Sequence, residues 1–79
     1  MKKLYVLVSN NGDGSSSIRA TFDESLIAEM QEKSDDNDVD FNYERWSDGD
    51  GFHYSVWSVP DECTAESMGF RELKRENVF

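Results

Sequence analysis

Ser47-Asp48-Gly49-Asp50-Gly51-Phe52-His53-Tyr54-Ser55-Val56-Trp57-Ser58-Val59-Pro60-Asp61-Glu62 is the stretch on which the fold turns. It runs from a tight turn through an aromatic strand to a helix start. Gly and Asp at 48–51 tolerate positive φ or bond to their own backbone. Phe52, Tyr54 and Val56 then alternate with His53, Ser55 and Trp57, the period of a strand. Pro60 has no amide hydrogen to continue a ladder, and Asp61 can cap a helix. An earlier stretch repeats these events: Asn11-Gly12-Asp13-Gly14, then Ser15 to Phe22, then Asp23-Glu24-Ser25, with Gly12 and Gly49 37 residues apart.

Upstream of the first turn, Lys2 to Ser9 reads as a strand with Leu4, Val6 and Val8 on one face and Tyr5 and Leu7 on the other. A strand apolar on both faces belongs inside a sheet. In the second strand Ile18, Ala20 and Phe22 oppose Ser17, Arg19 and Thr21. Asp23 is a helix cap, with Phe22 and Ile27 at the spacing of a hydrophobic staple and Thr21 with Glu24 as a competing capping box. Leu26, Ile27 and Met30 form one apolar stripe on a helix to about Lys33. After an acidic loop, Phe41 and Tyr43 begin a third strand ending near Trp46. A short second helix through Ala65 and Met68 is expected to stop at Gly69 in the left-handed conformation, with Phe70 making the apolar contact that follows such an end.

Strand, strand, helix, twice over, predicts an α+β domain. Two ββα units over residues 1–69 would form a four-stranded mixed or antiparallel sheet with two helices packed on one face. Residues 70–79 would be a C-terminal tail or docking segment. The helix-covered face is expected to carry Leu4, Val6, Val8, Ile18, Ala20, Phe22, Phe41, Tyr43, Phe52, Tyr54 and Val56. Tyr5, Leu7, Arg19, Thr21, Glu44, Trp46, His53 and Trp57 fall on the other face, which would stay open for a partner, the tail or a second copy.

At 79 residues the chain is one domain, and one of this size buries only roughly 60 to 65% of its unfolded surface. Apolar residues are 37% of the total, but 13% are aromatic, which offsets the shortage and argues against disorder. Net charge is −9, from 17 acidic and 8 basic residues. Such a chain is repelled by phosphate backbones and anionic lipid, so direct nucleic-acid and membrane binding are not expected. Lone Cys63 allows no internal disulfide, and Leu4 to Val8 is too short for a signal-peptide core or a membrane span, so a cytoplasmic protein is expected.

No catalytic motif is present, and a non-enzymatic role with no cofactor is the expectation. Counted from Asp48, the fifth and twelfth positions of a calcium loop are Phe52 and Val59; counted from Asn11, the twelfth is Phe22, so the EF-hand pattern fails twice. His53 and Cys63 are one of each, short of the three or four ligands of a zinc site. The marked asymmetry is charge: from Asp23 to Glu66 there are 14 acidic residues against Lys33 and Arg45. Asp35, Asp36, Asp38, Asp40, Glu44, Asp48 and Asp50 form an expected negative patch around one hairpin, with Tyr5, Trp46 and Trp57 as expected aromatic contacts. A solubilising surface is the other reading of the same carboxylates.

Asp48-Gly49-Asp50-Gly51-Phe52-His53-Tyr54 followed by Val59-Pro60-Asp61-Glu62-Cys63-Thr64 resembles small acidic accessory proteins encoded by tailed phages, in style and size, over residues 1 to 69. The resemblance implies a class only: inhibitors of host defence, of anti-CRISPR or anti-restriction type, some of which imitate the charge of DNA. The expected partner is therefore a basic protein or nucleic-acid-binding complex. The alternatives are a self-associating structural or regulatory module, in which open aromatic faces pair as a homodimer, and a divalent-cation-binding domain.

Overall fold

The computed structural model describes residues 1–47 and 51–79. The elements of the first half follow the sequence closely. Strand β1 (Lys2–Asn10) and strand β2 (Ser16–Thr21) form an antiparallel hairpin in which Tyr5 faces Thr21 and Val8 faces Ile18. The turn between them closes with the Asn11 amide donating to the Ser15 carbonyl at 3.0 Å, and Gly12 and Gly14 take up positive φ. Helix α1 (Glu24–Asp35) starts at Asp23, whose carboxylate accepts from the Leu26 amide at 3.2 Å. Thr21 Oγ1 accepts from the Asp23 amide, so Asp23 and not Thr21 is the cap.

The second half departs from the expected repeat. Phe41 to Trp46 is not a strand: Asn42 accepts from the Arg45 amide and opens a single helical turn, α2 (Tyr43–Trp46). Alternation over only Phe41 and Tyr43 was too short to outweigh a capping side chain. The turn lets Phe41 and Trp46 enter the same core, whereas five positions apart in a strand they would point to opposite faces. Ser47 and Phe52 make one antiparallel bridge, and strand β3 (Ser55–Val59) pairs with β1, Lys2 opposite Val59 and Val6 opposite Ser55.

The expected second helix is one 3₁₀ turn, Glu66–Met68, held by Thr64 and Ser67, each accepting the other's amide through its hydroxyl. Gly69 ends it at φ 85, left-handed as the sequence predicts. Residues 70–79 are docked on the sheet. Strand β4 (Arg71–Glu72) adds in parallel to β2, the Leu73 amide donates to the Ala20 carbonyl at 2.7 Å, and helix α3 (Arg75–Val78) follows. The result is a mixed four-stranded sheet in the order β3-β1-β2-β4.

On β1 and β2 the two sheet faces are the reverse of the expectation, whereas Val56 and Trp57 of β3 take the faces expected of them. Tyr5 and Leu7 are on the helix side, packed with Leu26, Ile27, Met30, Phe41, Trp46, Phe52, Leu73 and Val78. Leu4, Val6 and Ala20 lie on the other side with Val59 and Ala65, covered in part by Phe22, Cys63, Met68 and Phe70. Phe22 and Ile27 therefore belong to different clusters and make no staple. Because β1 is apolar on both sides, alternation could not choose between its faces; the larger aromatic cluster forms where the helices and the tail converge.

Candidate protein-binding face

Strand β3 is an edge of the sheet: it pairs with β1 on one side, and among the described residues no strand covers the other. Its sequence, Ser-Val-Trp-Ser-Val, carries no charge, and only Val59 is buried. An uncharged edge presents unpaired backbone donors and acceptors to any incoming strand, an exposure that charged side chains commonly block. Trp57 stands 42% exposed on the face away from the helices. Phe70 holds its ring edge-on, centroids 5.4 Å apart.

Val8 and Ile18, direct cross-strand partners, share that face, and Val8 is 54% exposed. The segment from Pro60 to Phe70 covers the Leu4 and Ala20 end of the sheet and leaves the Val8 and Ile18 end open. On the helix side of β3, Val56 is half exposed, and Tyr54 is half exposed while resting against Tyr5 and Phe52, with centroids 5.9 and 5.7 Å away. Between β1 and the approach to β3, a groove of about 250 Å³ is lined by Val6, Val8, Ser47, His53, Tyr54 and Ser55 among others. Together these make an apolar edge and an adjoining face in a chain whose surface is otherwise strongly acidic.

Of the aromatic contacts expected from sequence, only Trp57 is on the surface. Tyr5 and Trp46 are core residues; Trp46 is 2% exposed, and burial, followed by the charge of Glu24 and the neighbouring Tyr54, raises the Tyr5 phenol pKa. Their large rings fill the cluster under α1, which is why neither reaches a partner. Conversely Val8, Ile18, Tyr54 and Val56, expected under the helices, are exposed. The signal that could have found Tyr54 and Val56 is the missing charge between Tyr54 and Pro60; nothing comparable marks Val8 and Ile18.

Asp35, Asp36, Asp40 and Glu44 are exposed. Asp38 instead helps to hold the loop after α1, accepting the Asp40 amide at 2.8 Å and pairing with Lys33 Nζ at 3.3 Å. Those contacts, the amide first, hold its carboxyl below the usual range. Asp48 and Asp50 lie outside the described residues.

Of the candidate cation ligands in the first turn, Asp13 accepts from both the amide and the hydroxyl of Ser15, which lowers its pKa, and Asn11 bonds Ser15 and Ser17. Among the described residues no three His, Cys, Asp or Glu side chains are grouped to hold a metal ion, and no helix is long and apolar enough to cross a membrane. No family model, curated protein or solved structure matches the chain.

Proposed function

We propose that the chain is a non-enzymatic protein-binding module that docks through the β3 edge. One observation carries this reading: a neutral edge strand, uncovered by any strand among the described residues, bearing half-exposed Val56 and Trp57 in a chain of net charge −9. Backbone pairing along such an edge supplies affinity, and the side chains that alternate to either face supply specificity. The exposed carboxylates Asp35, Asp36, Asp40 and Glu44 speed and orient the encounter with a basic surface. A basic nucleic-acid-binding protein fits that charge, so inhibition by occlusion, as in acidic phage-encoded inhibitors, is the form of activity we favour.

The test is capture from nuclease-treated bacterial lysate on three baits: the natural chain, Val56→Lys, and Asp35→Asn with Asp36→Asn and Asp40→Asn. Asp38 is left alone because it is tied into the fold. The natural chain should retain a basic protein that Val56→Lys loses and that the triple variant releases at lower salt. Identical retention by all three baits would refute the reading. The same uncharged edge favours a second reading, antiparallel pairing of β3 with β3 of another copy. A mass of two chains in solution that Val56→Lys returns to one would establish it in place of the first.

A further inference from the structure

Three arginines far apart in the chain meet at one end of the sheet. Arg19 in β2 and Arg71 in β4 are direct register partners in a parallel pair, so their side chains leave the same face. Arg45 in α2 reaches over that face: its Nε donates to the fully buried Ser9 Oγ at 3.2 Å, and its guanidinium lies 4.9 Å from the Trp46 ring. Ser9 in turn is the cross-strand partner of Ser17, two residues before Arg19 on the same side of β2.

None of the three is within ion-pair distance of a carboxylate among the described residues, although acidic residues outnumber basic ones 17 to 8. The ion pairs formed there are Met1 with Asp61, Lys33 with Asp38, and Arg75 with Glu29. Arg19 Nε–H is buried with no acceptor. Burial, then the charges of Arg45 and Arg71, pull the Arg19 pKa down. Like charges gathered beside a buried, unsatisfied donor destabilise a fold. An oxyanion at this place would relieve both.

We infer that Arg19, Arg45 and Arg71 form an oxyanion site that takes a phosphoryl group. Planar guanidiniums match phosphate oxygens with paired hydrogen bonds. A dianion offsets three converging positive charges better than a single carboxylate does. Arg19 Nε–H supplies a buried donor, Arg45 is held in place by Ser9 and Trp46, and exposed Arg71 closes on the ligand from the sheet edge. The site is independent of the β3 edge, and its ligand binds whether or not a protein is docked there.

The test is a titration of the full chain, followed through the Nε–Hε resonances of ¹⁵N-labelled arginine. Inorganic phosphate is added in one arm and phosphoserine in another, against sodium chloride at matched ionic strength. Saturable shifts at Arg19, Arg45 and Arg71 are expected with phosphate and absent with chloride. Tighter binding of phosphoserine identifies a phosphoryl group carried on a larger molecule, and equal or weaker binding identifies the free ion. Arg71→Gln, at an exposed position, should weaken binding about tenfold, the loss of one charge-assisted contact. Lys3→Gln removes the same charge at the other end of β1 and should leave binding unchanged. Shifts that never saturate with either phosphate, or an affinity that Arg71→Gln and Lys3→Gln lower equally, would overturn the proposal.

Discussion

Leu73→Ala tests whether the last ten residues are part of the domain or a tail. Leu73 is 2% exposed, packs in the same cluster as Tyr5, Trp46 and Phe52, and sits where the backbone bonds to Ala20. Removing a buried leucine side chain costs about 2 to 5 kcal/mol, depending on how far the site collapses. At roughly 0.05 to 0.15 kcal/mol per residue, a chain of 79 residues has about 4 to 12 kcal/mol in all. A loss near the middle of the substitution range, about 3 kcal/mol, would therefore remove a quarter or more of the stability. With a urea dependence of about 1 kcal/mol per molar for so small a protein, the unfolding midpoint should fall by about 3 M. The assay is urea unfolding followed by tryptophan fluorescence, since Trp46 lies in the affected cluster. Val39→Ala is the control: Val39 is 97% exposed, and its replacement should stay within about 0.5 kcal/mol. If Leu73→Ala moved the midpoint no further than that control, the tail would not be docked and the core described above would be wrong.

Two other perturbations probe local structure. Gly69→Ala should cost about 1 kcal/mol in the same unfolding assay, all of it from backbone strain, because Gly69 has φ 85 and an added Cβ meets nothing within 4 Å; an unchanged midpoint would mean that the turn is not left-handed. Asp23→Ala should cost about 1 kcal/mol at neutral pH by uncapping α1. Its carboxyl is held below the usual range by Ser25, then by the Leu26 amide. A carboxyl whose folded pKa is depressed stabilises at pH above its unfolded value, about 4, and loses that contribution as pH falls through the folded value. The gap between natural and variant chains should therefore narrow on acidification. A gap of constant size down to about pH 2 would contradict the cap. Glu29, held down by Arg75, Asp38 and Asp13 add to the same acid loss in the natural chain.

Local chemistry was legible wherever neighbouring residues settle the outcome among themselves. Asp23 caps because its carboxylate reaches an amide three residues on. Gly69 ends a turn because it alone there lacks a Cβ, and β1 is internal because both its faces are apolar. The charge asymmetry needs no structure at all. The binding face was less legible: Trp57 was found, while Tyr5 was misplaced with the faces of β1 and β2, and Trp46 with the strand that proved to be a helical turn. A repeat of turn and cap signals also overstated the second half, where Asn42 and the Thr64–Ser67 pair each support a single turn in place of a strand and a helix.

What the tertiary structure alone decided is pairing across long separations. Val59 pairs with Lys2 and Arg71 with Arg19, so the chain's last third flanks its first hairpin on both sides. Period-two alternation says that two faces exist but not which one a helix will cover. That choice belongs to the sum of packing over Leu26, Ile27, Met30, Phe41, Trp46, Leu73 and Val78, residues brought together only when the sheet is complete. The uncharged edge and the arginine cluster arise from that same long-range pairing. Asp61, expected to cap a second helix, caps none, since the turn there begins only after Ala65. The sequence by itself determined the Asp23 cap, the first turn, the left-handed end at Gly69, the central strand and the acidic composition, because each depends on contacts within a few residues or on composition.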